Sequence, residues 1–200
     1  MRRVTAWVVA AAVTAAATPA AQAQRYSEGY RFLEAVRKAD GAELTKILNE
    51  PGTRVVNTRA DNGEGALHIV ARRSDETYLR FLLARGADRN LRDRQGDTPM
   101  MTAVLANFQP GLELLLRLKA DPNIANNAGE TPLIRAVQMR NLEAARLLLA
   151  NGANPDQTDN VAGMSARDYA ARDTRLPALG KLLADAPKVE ARRAMAGPKL

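Results

Sequence analysis

Apolar residues recur along this chain in short paired bursts at helical spacing. The stretch around 142–149 carries Leu142, Ala145, Leu148 and Leu149, the three-and-four spacing of a helix with one oily side. Similar bursts close on Leu82 and Leu83 and on Leu115 and Leu116. Each follows a shorter apolar run and leads into a polar loop. The pattern predicts helix–turn–helix units. One such pair cannot bury its stripe alone, so neighbours must stack.

The units recur at a fixed period. Gly63, Gly96 and Gly129 stand 33 residues apart, and each opens a near-copy: GEGALHIVARRSDETYLRFLLARGADRN, GDTPMMTAVLANFQPGLELLLRLKADPN and GETPLIRAVQMRNLEAARLLLANGANPD. Thr98 and Thr131 are placed to cap a helix, and Pro99 and Pro132 follow at its first position, where a missing N–H costs nothing. Gly86 and Gly152 follow leucine runs and suit helix C-caps. The opening glycines suit turns that need positive φ. Partial copies flank the three: FLEAVRKADGAELTKIL upstream, and GMSARDYAARDTRLPALGKLLAD downstream, where Gly163 comes one residue late.

On these residues the chain resembles the ankyrin repeat family, whose pattern is a turn, G-x-T-P-L-H-x-A, a short break, and a second helix ending in L-L-x-x-G-A-D-x-N. Gly129, Thr131, Pro132, Leu133, Ala136, Leu148, Leu149, Gly152, Ala153 and Asn154 follow it in the third copy. The resemblance implies an all-α fold: an ankyrin repeat solenoid of stacked helix-turn-helix units with β-turn finger loops. About five repeats are expected, including degenerate N- and C-terminal caps, near 27–59, 60–92, 93–125, 126–158 and 159–186. The chain departs from the pattern at Gly65 and Ala66, which replace T-P and make that repeat the expected weakest joint. Lys119 stands where a C-cap glycine is usual, and Arg140 where glycine is common between helices. Either is expected to carry a backbone cost of about 1 kcal/mol.

The ends read differently. Residues 1–23 have the form of a cleaved signal peptide: Arg2 and Arg3, an apolar run from Val4 to Ala17, and a small-x-small site at Ala21-Gln22-Ala23. The run is too short to span a bilayer comfortably, so no stable membrane anchor is expected. The expected domain is therefore 24–186, followed by a flexible basic tail, 187–200. The alanine- and arginine-rich usage and the leader point to a bacterium and to the periplasm, with secretion as the alternative. No cysteine occurs, which excludes a lipoprotein, disulfides and thiol chemistry. Formal charge is +7. Acids alternate with the arginines and aromatics are few, so nucleic acid is not an expected partner.

Candidate chemistry is sparse. There is one histidine, and no metalloprotease, nucleophile-elbow or phosphate-loop motif. No enzyme, catalytic residue, cofactor or metal is expected. Asp88 and Asp121 fall in turns, where they are expected to accept from backbone amides. His68 faces Gly65 where the family has a threonine partner, so it reads either as a less satisfied helix residue bonding the neighbouring repeat or as a pH sensor. Met100, Met101 and Met164 read as core, and Met139 as facing the groove.

The resemblance implies protein binding through the finger turns and the open side of each first helix. Carried over by position, the candidate residues are Asp61, Asn62, Glu64, Arg92, Arg94, Gln95, Asp97, Asn127 and Glu130 in the turns, and Arg72, Arg73, Leu105, Gln138 and Met139 on the helices. The N-terminal part reads as charged, and Leu105, Ala106 and Phe108 as an apolar middle. A charged rim around an apolar centre suits a protein interface. The alternative is that Leu105 packs on its neighbour and the arginines pair with nearby acids. The expected function is a monomeric, non-enzymatic interaction module for a protein partner. By resemblance to some exported bacterial relatives, it is an accessory factor in oxidative-stress defence; the alternative is an inhibitor or immunity-type protein.

Overall fold

The computed structural model describes residues 19–188, with side-chain surroundings from Glu28 onward. Residues 1–18 of the expected leader (1–23) and 189–200 of the expected tail (187–200) lie outside the described residues. Positions 19–23 form the first turns of helix α1 (Pro19–Lys38).

Five helical hairpins follow one another. The first pairs α1 with α2 (Gly41–Asn49), and a short 3₁₀ turn at Val55–Asn57 leads on. The next are α3 (Ala66–Arg72) with α4 (Glu76–Ala84), α5 (Pro99–Leu105) with α6 (Gln109–Arg117), α7 (Pro132–Gln138) with α8 (Leu142–Ala150), and α9 (Ala166–Arg172) with α10 (Pro177–Asp185). No strand is formed among the described residues. First helices pack on first helices, and second helices on second helices. The all-α solenoid expected from the repeat is the observed architecture.

Local chemistry sets each element. The Thr98 and Thr131 hydroxyls accept from the amides of Met101 and Ile134, and each helix then starts on proline. Asp40, Asp75 and Asn141 cap second helices in the same way. Between the helices of a pair the chain reverses through a residue at positive φ: Ala39, Ser74, Asn107 and Arg140. Lys119 adopts φ 63° where Gly86 and Gly152 adopt 83° and 93°. Both departures read in the sequence therefore hold a left-handed conformation that costs a residue with a Cβ about 1 kcal/mol.

The oily sides meet in one continuous core. Leu79, Leu82, Met100, Leu112, Leu115, Leu133, Ile134, Leu148 and Leu179 are fully buried in it. Met101 and Met164 are also buried. Phe108 corrects an expectation. It is buried at the start of α6 instead of lying on an exposed ridge. Its ring covers Gly111, where an added Cβ would come within 2.2 Å of it.

Fingers are stitched crosswise. The amides of Arg94, Asn127 and Asn160 donate to the carbonyls of Asn62, Gln95 and Ala128 at 3.1, 2.8 and 2.8 Å. On the opposite flank, Asn57, Asn90 and Asn123 accept from the amides of Asp88, Asp121 and Asn154 in the next repeat. Asp88 and Asp121 accept from the amides of Asn90 and Asn123, as their turn positions predicted.

Candidate functional site

Arg72, Leu105, Gln138 and Arg172 each close the last turn of a first helix, so they form one row across four hairpins. The row reaches the bases of the fingers. Arg72 pairs with Glu64, and Gln138 donates to Glu130 at 3.4 Å. Fingers and row thus enclose a concave groove. At its N-terminal end lies a cleft of about 530 Å³ lined by Tyr30, Leu33 and Arg37 opposite Thr58–Asn62. At its C-terminal end is one of about 550 Å³, lined by Val137, Gln138, Tyr169, Arg172, Asp173, Thr174 and Arg175.

The apolar centre is present but small. Leu105 is 43% exposed and Met139 42% exposed. Ala106, at the repeat position that Met139 fills one unit later, is half-buried. With Phe108 turned inward, Leu105 and Met139 carry the large apolar surface here. Leu105 does not vanish into the neighbouring helix, which was the alternative reading of its position.

The charged candidates divide by what holds them. Asp61, Asn62, Arg94 and Gln95 are exposed at finger tips. Arg72 keeps 60% of its side chain exposed, but Glu64 beneath it keeps only 8%. A buried carboxylate that anchors an arginine offers little to a partner directly. Arg73 points away from the row. It donates to the carbonyls of Val36 and Arg37 at 2.6 and 3.1 Å and to Asp75 at 2.6 Å, and lies over the Tyr78 ring. Arg92 donates to the carbonyls of Gly96 and Ala125 and to Asn127, so it braces two fingers. Asn127 also donates to the carbonyl of Arg94 at 2.7 Å.

Beneath the fingers the polar groups join. Asn126 donates to Asp97 and Glu130 at 3.0 and 3.1 Å, and Arg135 donates to Glu130 at 2.7 Å and to Gln138 at 3.1 Å. Burial pushes the Asp97 carboxyl up from its ordinary value, and the Asn126 hydrogen bond opposes this. Tyr169 donates to Asp159 at 2.6 Å, which holds the Asp159 carboxyl down and raises the phenol. Asn126 and Arg135 were not among the candidates from the sequence. Their positions 33 residues from Asp93 and Thr102 gave the register but not the partners.

His68 is fully satisfied. Its Nδ1 accepts from the Gly65 amide at 3.2 Å, and its Nε2 meets the Asp97 carbonyl of the next hairpin at 3.0 Å. The expected shortfall is thus made up by backbone. At Gly65 an added Cβ would lie 2.3 Å from Leu91 Cδ2, so a threonine there would require the Leu91 side chain to shift. Ser165, which donates to Asp168 at 2.6 Å, caps α9 and holds the Asp168 carboxyl down. No group of three or more metal-ligating side chains forms among the described residues. No helix among them is long and apolar enough to cross a membrane.

A family model of ankyrin repeats, three copies long, matches residues 32–126 and again 111–192. An ankyrin repeat protein of Acanthamoeba polyphaga mimivirus is 40% identical over 73 residues. That stretch is 36% of this chain and 10% of the viral protein, so the chain spans a small part of that relative.

Proposed function

Because this chain belongs to the ankyrin repeat family, whose members generally serve as non-enzymatic protein-interaction modules, we propose that it docks a partner protein in its concave groove. The supporting observation is the exposed Arg72 and Leu105 of the first-helix row, with half-exposed Met139 one position beyond it, mounted on helices that are themselves tied by the finger ladder. Apolar side chains held open on a rigid frame lose little entropy when covered. The surrounding guanidinium and amide groups give a polar rim.

We place this module in the bacterial periplasm, on the strength of the leader-like pattern of residues 1–23. Expression in a Gram-negative host, with fractionation and mass analysis of the product, tests this. A periplasmic chain beginning at Gln24 is the expected result, and a cytoplasmic chain that retains Arg2 and Arg3 would refute it. The role we assign there is an accessory factor in oxidative-stress defence, on resemblance alone.

The docking reading is tested by affinity capture from periplasmic extract with the wild-type chain and with Leu105→Asp/Met139→Asp. The bound protein should be lost with the groove variant and retained with Leu118→Asp, a half-exposed residue at the end of α6. Assay of the captured protein then separates two roles. An accessory factor preserves its activity, whereas an inhibitor abolishes it at equal stoichiometry.

A further inference from the structure

We infer that the C-terminal mouth of the groove recognises an acidic segment of the partner polypeptide, with carboxylates on Arg172 and Arg175 and an apolar side chain against Met139. This deepens the groove reading and rests on it.

The argument is one of charge placement. The C-terminal cleft is lined by two guanidiniums, Arg172 and Arg175, and a single carboxylate, Asp173. That carboxylate is already shared. Its Oδ2 accepts from Arg140 at 2.7 Å and from Arg175 at 3.2 Å, and its Oδ1 accepts from the Arg175 amide and Nε. Two cations on one anion leave one positive charge uncompensated. Arg172 adds a second. It forms no ion pair among the described residues and touches Asp168 only through space.

The other mouth is lined by Arg37, Arg59 and Asp61; Arg37 shares Glu34 with Lys38, and Arg59 donates to the carbonyl of Arg92 at 3.0 Å. Arg72 sits on Glu64 and Arg73 on Asp75. Guanidiniums suit carboxylates because the planar fork offers paired donors. Thr174 and Gln138 add polar groups to the wall of that cleft. Met139 follows Gln138 directly and is half-exposed, an apolar side chain one residue beyond those that line the cleft.

The experiment is fluorescence anisotropy on the full chain with labelled peptides of about twelve residues, a length that covers a groove of this kind. One peptide alternates glutamate and alanine around a central leucine. A second replaces every glutamate with lysine, and a third replaces the leucine with serine. The acidic peptide should bind, the lysine peptide should not, and the serine peptide should bind more weakly. Arg172→Glu/Arg175→Glu should lose about tenfold or more, because charge reversal turns attraction into repulsion. Arg172→Gln alone, at a position without an ion pair, should lose a smaller factor with an unchanged circular dichroism spectrum. Raising salt from about 50 to about 300 mM should weaken the acidic peptide.

If acidic binding survives both Arg172 variants but falls with Leu105→Asp, the groove stands and this subsite does not. If only Leu118→Asp removes it, the docking face itself is wrong. Equal binding of acidic and lysine peptides, or no binding of either, overturns the proposal.

Discussion

The ring of His68 joins two hairpins: Nε2 lies 3.0 Å from the Asp97 carbonyl while Nδ1 takes the Gly65 amide. One nitrogen must donate and the other accept, so the imidazole is neutral. Its burial lowers the pKa below the ordinary histidine value. A base whose pKa falls on folding contributes stability that is complete above its unfolded pKa, about 6.5. That contribution is lost as pH falls from there toward the folded value. Asp97 works oppositely and lower. Its raised pKa makes protonation favour the fold once pH falls toward the carboxylate range. Urea midpoints measured from pH 7.5 down to 5 should therefore decline for the wild type, and His68→Gln should remove most of that slope. An unchanged slope in the variant would show that other groups carry it.

Glycines that look alike in the repeat should differ sharply on substitution. Gly86 and Gly96 share φ +83°, but a Cβ on Gly86 meets nothing within 4 Å. On Gly96 it would lie 2.8 Å from the Asn127 amide nitrogen and 2.6 Å from Arg92 Nη2. Gly86→Ala should cost about 1 kcal/mol, from conformation alone. Gly96→Ala adds a backbone collision in the finger ladder and should cost about 2 kcal/mol or more. Equilibrium urea unfolding compares them directly, and equal costs would mean the fingers yield freely.

Lys119 offers the reverse experiment. It is exposed, holds φ 63°, and occupies a position filled by glycine in the repeats on either side. Lys119→Gly should stabilise the fold by a few tenths of a kcal/mol, because relief of left-handed strain exceeds the added unfolded-state entropy. A thermal melt that moves downward would refute this.

Arg72 and Arg73 are neighbours with separate duties. Arg73 bonds two carbonyls of the first hairpin and Asp75. Arg73→Ala should lower stability by about 1–2 kcal/mol and leave peptide affinity unchanged. Arg72→Ala should lower affinity at the groove and also lower stability, because it leaves the Glu64 carboxylate buried without its partner. Denaturation and anisotropy on the same two proteins separate the effects.

The architecture was legible because its causes are local and repeated. Thr98-Pro99 and Thr131-Pro132 announce helix starts, and the 33-residue glycine spacing announces stacking. The candidate face was legible only in part. Position along the repeat put Arg72 and Leu105 at the ends of their first helices and left Leu105 and Met139 half-exposed. It could not say that Phe108 would turn inward, since that depends on the space Gly111 leaves beneath its ring. Nor could it distinguish Arg73 from Arg72, because the carbonyls that capture Arg73 belong to a helix more than thirty residues earlier. Leu91 filling the place of a threonine beside Gly65 is likewise a contact between loops, invisible to periodicity.

The rungs that tie Asn62 to Arg94, Gln95 to Asn127, and Ala128 to Asn160 all run the same way, amide backward and carbonyl forward. Such a stack has a grain. A duplicated unit spliced in with the chain's own direction would find a waiting oxygen behind it and present one ahead. Lengthening the molecule is thereby a matter of copying, and its reading face would grow by whole steps while every older step kept its place.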